Sequence, residues 1–424
     1  MIPSLRRAMR PWQILHRQPY PPSTVISPRV DASSPLEEEN TPYYSPKHFY
    51  PARIGEVLDQ RYQLATKLGH GSGSTVWLAR DLSRWRWMQE RYVAIKIKSN
   101  NQRSRPEDAE GERSILQRIT TTNPKHDGWH YVRKLLDSFE VTGISGEHTC
   151  LVFQPLREPL WMFCLRYPDE VIPFDMIKLM LRMLLPALDY LHSECNIIHA
   201  DLKLDNIMIR LEDPAILDED ARDAYANPLP EKHCDDGRII YLSRNNWGPP
   251  RGVTGYVCIH DFDSAVDGNM PHYGSIQAEV YRAPEVILEA DFSYAADIWS
   301  LGALLWNLLE GTRLFKAIDP HITGEYDDAN HLAYITALLG VPPKELLEKG
   351  RKTSLLYDGN GVLKGPKPIP TDFSFDHVIT NISGEEKQMF IKFVKRMLQW
   401  RPEDRSTAAE LLKDPWLYDN FPQD

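Results

Sequence analysis

The chain has 424 residues, enough for two or three domains' worth of core, and its 42% hydrophobic and 25% charged content is that of an ordinary soluble globular protein. A formal net charge of -10 argues against a general nucleic-acid binder, which carries a basic stripe, and suits a basic partner better. No apolar run approaches the length of about 18 residues that spans a membrane, and five cysteines without a C-x-x-C pair argue against a disulfide framework or structural zinc, making a reducing compartment the default.

Residues 1–55 read as a disordered leader, rich in Pro, Ser and charge and without sustained periodicity. Its start carries Arg6, Arg7, Arg10 and Arg17, with no acid before Asp31. Acid-poor and Arg-bearing sequence is also how a mitochondrial transit peptide looks, but Pro3 and Pro11 interrupt an amphipathic helix, so a basic tail is the preferred reading. Folding signals begin near residue 56 with "RYQLATKLGHGSGSTVWLARD", where β-branched and apolar residues flank a Gly/Ser tract as in a hairpin with a flexible tip. The Trp/Arg alternation of "SRWRWMQERY" is better explained by a hairpin packing its aromatics than by stacking on single-stranded RNA. "ERYVAIKIKS" predicts a strand, "EDAEGERSILQRI" a helix, and "HTCLVFQPL" another strand. From there the period is helical, in "FDMIKLMLRMLLPALDYLHSE" despite Pro186, in "SYAADIWSLGALLWNLLEGTRLF" and in "GEEKQMFIKFVKRMLQW". Strands first and helices after predict an α+β chain of two lobes, 56–154 and 155–418, with a tail at 419–424. Residues 210–256, an insertion within the second lobe, fit neither the strand nor the helix pattern. So long a polar, Pro/Gly-rich stretch predicts a functional insertion, and "RIIYLSRNNWGPP" within it is apolar enough to pack back on the lobes.

Three clusters carry chemistry. The tract Gly69-His70-Gly71-Ser72-Gly73-Ser74-Thr75-Val76 lets backbone N–H groups approach phosphate oxygens without a Cβ in the way, although glycine-rich hairpin tips are common. Val93-Ala94-Ile95-Lys96 sets a lysine among apolar strand residues, where burial requires a partner. Glu112 precedes Ile115, Leu116 and Ile119 by three, four and seven residues, so it shares their inward helix face; Glu110 does not. In "IIHADLKLDNIMI", Asp201, Lys203 and Asn206 crowd between apolar anchors. Asp201 and Asn206 suit a carboxylate that orients a hydroxyl and an amide oxygen that binds a metal, with Lys203 placed to steady a phosphoryl group. The strand in "YVCIHDFDSA" brings in Asp261, a second hard oxygen ligand for Mg²⁺.

In this order the motifs resemble those of the eukaryotic protein kinases, over about residues 56–418. The glycine loop matches at Gly69, Gly71 and Val76, with Ser74 in place of the third glycine and Gly73 beside it to supply flexibility. "VAIK" ends at Lys96, the catalytic loop reads H-A-D-L-K-L-D-N, and Asp261-Phe262-Asp263 stands where D-F-G is usual. "YRAPE" supplies Ala283-Pro284-Glu285, "DIWSLG" supplies Asp297, and "RPEDRS" supplies Arg405, expected to pair with Glu285. Lys203 resembles the serine/threonine branch. A small residue at Ala200, an insertion between catalytic loop and metal strand, and "IQAEVYRAPEVIL" are similar to the SR-protein kinases, of a fungal type. The resemblance implies a bilobal protein kinase fold with a β-rich N-lobe and an α-helical C-lobe, and ATP and Mg²⁺ as cofactors. It implies that Lys96, fixed by Glu112, holds the α- and β-phosphates, that Asp201 accepts or orients the substrate hydroxyl proton, and that Lys203 contacts the γ-phosphate. Asn206 and Asp261 would hold Mg²⁺. The nucleotide would meet the tract 69–76 and Ala94, with adenine against "VFQPL", where Phe153 is the expected gatekeeper and Gln154 and Leu156 supply backbone hydrogen bonds.

Two departures matter. Without an arginine at 200, a phosphate on the activation loop loses its usual partner, so activity is expected to need no phosphorylation there, and Ser264, Tyr273 and Ser275 read as ordinary loop hydroxyls. Asp263 replaces a glycine and adds negative charge near the metal ligands, which feeds a rival reading as a pseudokinase; the complete set of Lys96, Glu112, Asp201, Asn206 and Asp261 opposes it. A small-molecule kinase ranks third, since "APE" and the late helices count against it. The expected partners are protein substrates, Arg/Ser-rich by resemblance, without direct nucleic-acid or membrane binding. A monomer is expected, in cytoplasm or nucleus, with the mitochondrion as the alternative that the leader leaves open.

Overall fold

The structure is a computed structural model, and it describes residues 15–42, 44–100, 106–365 and 372–419, with the side chains of 106–110 excepted. Arg6, Arg7 and Arg10, the side chain of Glu110 and tail residues 420–424 lie outside the described residues. The chain divides into two compact units. One gathers the described residues up to Arg113, with Lys134–Arg157 and Leu211–Thr254; the other holds Ser114–Arg133, Glu158–Arg210 and the described residues from Gly255 on.

The first unit is built on an antiparallel sheet of β1 (Val57–Leu58), β2 (Tyr62–Gly71), β3 (Ser74–Asp81), β4 (Tyr92–Lys98), β5 (Leu135–Gly143) and β6 (Gly146–Phe153), in the order β1-β2-β3-β4-β6-β5. The β-branched and aromatic run of β4 is almost wholly buried, as a central strand must be. Leu64, Trp77, Val93, Ile95, Ile97, Cys150 and Val152 form one apolar cluster with Ala52 and Tyr241. Leu78 and Tyr92 form another with Ile216, Leu217, Ala221 and Trp247. Each large side chain so buried contributes about 1.5–3 kcal/mol.

Residues of 210–256 thus complete both clusters, and this corrects their expected place in the C-lobe. Leu211–Thr254 belongs with the strand-rich unit. It forms the helix Ala215–Ala226 and a hairpin of Glu231–His233 with Ile239–Tyr241. Polar composition hid an amphipathic helix whose apolar residues are Ile216, Leu217 and Ala221, while two of its acids pair with groups of the same unit: Asp220 with Arg244 at 2.9 Å and Asp218 with Tyr92 Oη at 2.9 Å.

The disordered leader also needs correction over its described part. Tyr20 exchanges two hydrogen bonds of 2.9 Å with Gln63, and Arg80 lies 3.9 Å over its ring. Val30 N–H donates to Glu231 O at 3.0 Å, and Glu231 N–H to Pro28 O at 2.9 Å. Glu38 and Phe49 are buried. A Pro- and charge-rich segment cannot make a core of its own, but it can bond to one already formed. The Trp/Arg stretch is not a packed hairpin: Trp85 is sandwiched between His16 (4.7 Å) and Trp87 (5.2 Å), and Trp87 is exposed.

The second unit is helical. Its helix Ala295–Glu310 is buried nearly all round, while Phe174–Asp189 buries a broad apolar face and exposes Asp175, Leu179 and Arg182 along one side. Pro186 lies inside the first, which runs on into a π turn at Tyr190–Glu194. Gly128 approaches Pro186 so closely that a Cβ there would lie 1.8 Å from the proline carbonyl oxygen. Arg405 donates to both oxygens of Glu285 at 2.7 and 2.6 Å, the pair fully buried. Among the described residues no helix is long and apolar enough to cross a membrane, and all five cysteines are free thiols.

Candidate active-site residues

In the first unit, β2 and β3 pair Gly71 with Ser74, which leaves Ser72 and Gly73 as the two-residue tip. Gly69, His70 and Gly71 close β2; Ser74, Thr75 and Val76 open β3, where Ser74 and Thr75 are buried. A Cβ on Gly69 would meet nothing within 4 Å, so space beside the tract is open. Val76 faces Lys96 across the β3–β4 ladder, and Ala94 faces Phe153 across β4–β6.

Lys96 Nζ donates to Glu112 at 3.0 Å, with both residues buried. This is the partnership that burial of a strand lysine demanded. Glu112 stands on the helix Pro106–Thr121, on the face of buried Leu116 and Ile119, with Ile115 only partly buried. Lys98 Nζ also donates to Glu112, at 2.5 Å. Sequence reasoning missed this second lysine, although two residues along a strand places it on the face of Lys96. Phe153 ends β6 and is buried; Gln154 is exposed and Leu156 is buried.

In the second unit, the stretch 197–209 is a loop slung between two strand pairs. Ile197–Ile198 pairs with Val266–Asp267, and Ile207–Ile209 with Val257–Ile259. The apolar anchors are therefore ladder residues, which fix the polar residues between them. Asp201 Oδ2 accepts from Lys203 Nζ at 2.8 Å and from Asn206 Nδ2 at 3.0 Å, and Asn206 Nδ2 also donates to Asp201 O at 2.8 Å. The amide nitrogen is thus committed to Asp201, which leaves the Asn206 amide oxygen as the atom for a cation. His260 N–H donates to the Asn206 backbone carbonyl at 3.0 Å, so Asp261 follows one residue after a bond that ties its strand to the loop. An amide oxygen and a carboxylate are hard ligands that fit Mg²⁺. The carboxylates of Asp261 and Asp263 approach within 4.8 Å, so the aspartate in the glycine's place sets a second negative charge beside Asp261.

The loop is held from below by a buried acid. Asp297, in the first turn of Ala295–Glu310, accepts His199 N–H at 2.8 Å, Ala200 N–H at 2.9 Å and His192 Nε2 at 2.9 Å. Burial alone would raise its pKa, but the hydrogen bond and charge of His192 and the amides outweigh that and hold the carboxyl below its ordinary value. These bonds support Ala200 at a φ of 66° and Asp261 follows at 64°, left-handed positions that cost alanine and aspartate about 1 kcal/mol each. His199, fully buried, packs its ring 5.2 Å from Phe262 and bonds His260 O at 3.0 Å. Gln277 was not anticipated. Its N–H donates to Ala200 O at 2.8 Å, and its buried amide bonds Ala283 N–H, Ala296 O and Ser300 Oγ at 2.8–2.9 Å. No periodic signal marks a single polar residue on a loop; for Asp297 the signal was a lone acid in an apolar helix.

A glycine-tipped hairpin, a buried Lys–Glu pair and an Asp–Lys–Asn loop on a helical unit define the phosphotransferase class built on the protein kinase fold. Comparison with known proteins agrees. The protein kinase domain family matches residues 62–417, and the chain belongs to it. A serine/threonine protein kinase of Aspergillus fumigatus is 38% identical over 410 residues, covering 96% of this chain and 97% of that protein. The serine/threonine-protein kinase SRPK of Physarum polycephalum is 32% identical, covering 90% and 92%, and SRSF protein kinase 3 of Mus musculus is 23% identical, covering 94% of each. The crystal structure of a kinase domain superposes with a TM-score of 0.64 at 25% identity, over 88% of this chain and 99% of that one. The chain is thus a serine/threonine protein kinase of the group that includes the SR-protein kinases.

Proposed function

We propose that the chain is an active kinase that transfers the γ-phosphate of ATP to serine or threonine hydroxyls in Arg/Ser-rich protein segments. The observation that carries the activity is the intact loop, in which Asp201 is oriented by both Lys203 and Asn206. In this reading Lys96, held by Glu112, takes the α- and β-phosphates, and the tract Gly69–Val76 supplies backbone donors to the phosphates. Phe153, Gln154 and Leu156 receive the adenine. Asp201 accepts the proton of the attacking hydroxyl, and Lys203 moves to the γ-phosphate as charge develops there. Bound Mg²⁺, on Asn206 and Asp261, supplies neutralisation of phosphate charge. The remaining work is positioning, which is where phosphoryl-transfer enzymes gain most of their rate.

Supporting the Arg-rich preference are the formal charge of -10 and the printed names of the SRPK and SRSF kinase relatives. The reading also includes independence from activation-loop phosphorylation, since Gln277 ties the Ala200 carbonyl directly to the loop before Ala283. The rival, a pseudokinase, is favoured by one observation, the carboxylate of Asp263 beside Asp261. The test is transfer from labelled ATP–Mg²⁺ to an Arg-Ser repeat peptide and to a neutral serine peptide, with Asp201→Asn alongside. Transfer that favours the repeat and is lost in the variant supports the proposal. Nucleotide binding without transfer to either peptide would establish the rival.

A further inference from the structure

A glycine-rich hairpin tip is conformationally loose by construction, so whatever holds its base sets how well it can present N–H groups to an anion. In this chain the base is held from outside the sheet. Lys67 on β2 is 1% exposed; its Nζ pairs with Glu38, lies 3.6 Å from Glu37 Oε2 and donates to Tyr241 O at 3.1 Å. Its carbonyl accepts Arg244 N–H at 2.7 Å. The β2–β3 register then breaks between Lys67 and Gly69. Beyond the break, His70 stands between the two glycines with Nε2 3.2 Å from Glu37 Oε2. One acidic turn, Glu37–Asn40, therefore grips the strand on both sides of its bulge.

That turn is itself anchored. Ser243 donates to Glu37 from N–H at 3.0 Å and from Oγ at 2.6 Å, and Glu39 pairs with Lys232 at 2.7 Å while accepting Leu36 N–H at 2.8 Å. Glu37 has a φ of 53°, a strained setting for glutamate that only its surroundings can enforce. Glu37, Glu38 and His70 could each offer a ligand atom within a 4.8 Å cluster. The Lys67 ammonium already occupies that cluster, so its cation is built in.

We propose that Glu37 and Glu38 are positioning residues for the glycine-rich hairpin, fixing its bulge and thereby the presentation of its amides to the nucleotide phosphates. The inference rests on reading that hairpin as the ATP-phosphate cradle. In the full chain, Glu37→Gln and Glu38→Gln should each raise the KM for ATP–Mg²⁺ on the order of tenfold, the weight of one charge-assisted contact, with peptide KM unchanged; Glu37→Gln should keep the wild-type melting temperature, whereas Glu38→Gln, which weakens the pairing of buried Lys67, should lower it. Glu219→Gln, an exposed acid of the same unit that pairs with Arg251 outside the strap, should keep the wild-type ATP KM. Should burial of an unpaired Lys67 keep Glu38→Gln from folding, the partly exposed Glu37→Gln carries the test alone. An unchanged ATP KM in Glu37→Gln, or a rise that Glu219→Gln reproduces, overturns the proposal. Binding of a fluorescent ATP analogue separates the two readings. Loss in Gly69→Val, whose side chain fills the open space beside the tract, with wild-type affinity in Glu37→Gln sinks the strap alone, whereas equal binding by wild type and Gly69→Val sinks the cradle as well.

Discussion

Asp201 shares one oxygen between an ammonium and an amide, so its removal separates chemistry from binding. Asp201→Asn is expected to lower kcat by at least about 10³-fold while leaving ATP affinity near wild type, as single-turnover transfer and nucleotide titration would show. Gln277 makes a different prediction. If its bonds to Ala200 and Ala283 stand in for a loop phosphate, phosphatase treatment leaves activity unchanged, and Gln277→Ala, which keeps the backbone bond to Ala200, lowers kcat by about tenfold through the unpaired amide of Ala283. Activity lost on dephosphorylation would remove that account. At this scale the chemical residues were legible because type and spacing carry them: Lys96 meets Glu112 in one unit, and Asp201 meets Asn206 in the other. The strap glutamates were not, because Lys67 and Ser243 lie 29 and 206 positions away; Gln277 is a single polar residue on a loop without a periodic signal, and Lys98 is a second lysine on a strand whose first already had its partner.

The elements meet at two places that tolerate little change. Gly128 passes Pro186 with no room for a methyl group against a backbone carbonyl, which a side chain could have yielded but a helix does not. Gly128→Ala should therefore destabilise by about 3 kcal/mol or more, read as a lowered melting temperature, with transfer by the remaining folded enzyme unaffected. The Glu285–Arg405 pair joins residues 120 apart inside the helical unit. Arg405→Met alone strands a buried carboxylate and should cost about 3–5 kcal/mol, whereas Glu285→Met combined with Arg405→Met should recover most of that loss. Equal losses in the single and double variants would show the pair itself to be the stabilising element. The helices were readable from their apolar periodicity, including the one that contains Pro186. Residues 210–256 were misplaced because composition reports that a segment is polar on average, and the face formed by Ile216, Leu217 and Ala221 appears only when the helix has a sheet to meet.

For the whole molecule, one buried histidine couples stability to acid. His331 is fully buried beside Phe315, with Nδ1 bonded to Tyr326 Oη at 3.0 Å, and burial, then the Arg282 charge, lowers its pKa to about 3. Its folded pKa lies below the ordinary value of 6.5, so the unfolded chain binds the proton first. The associated stability is complete above pH 6.5 and is lost as pH falls toward 3, at up to about 1.4 kcal/mol per unit. Denaturant midpoints between pH 7 and 4 should fall more steeply in wild type than in His331→Gln; parallel curves would assign the acid loss to carboxylates such as Asp297. By itself the sequence determined the protein kinase class, the order of strands and helices and the residues that bear charge for phosphoryl transfer, since these follow from local period and fixed spacing. Only the tertiary structure decided that the described leader and Leu211–Thr254 belong to the strand-rich unit and that Glu37 and Glu38 reach the glycine hairpin. Those contacts join residues from about 30 to more than 200 positions apart, and a pairing at that distance is chosen by which surfaces the folded sheet leaves to be covered.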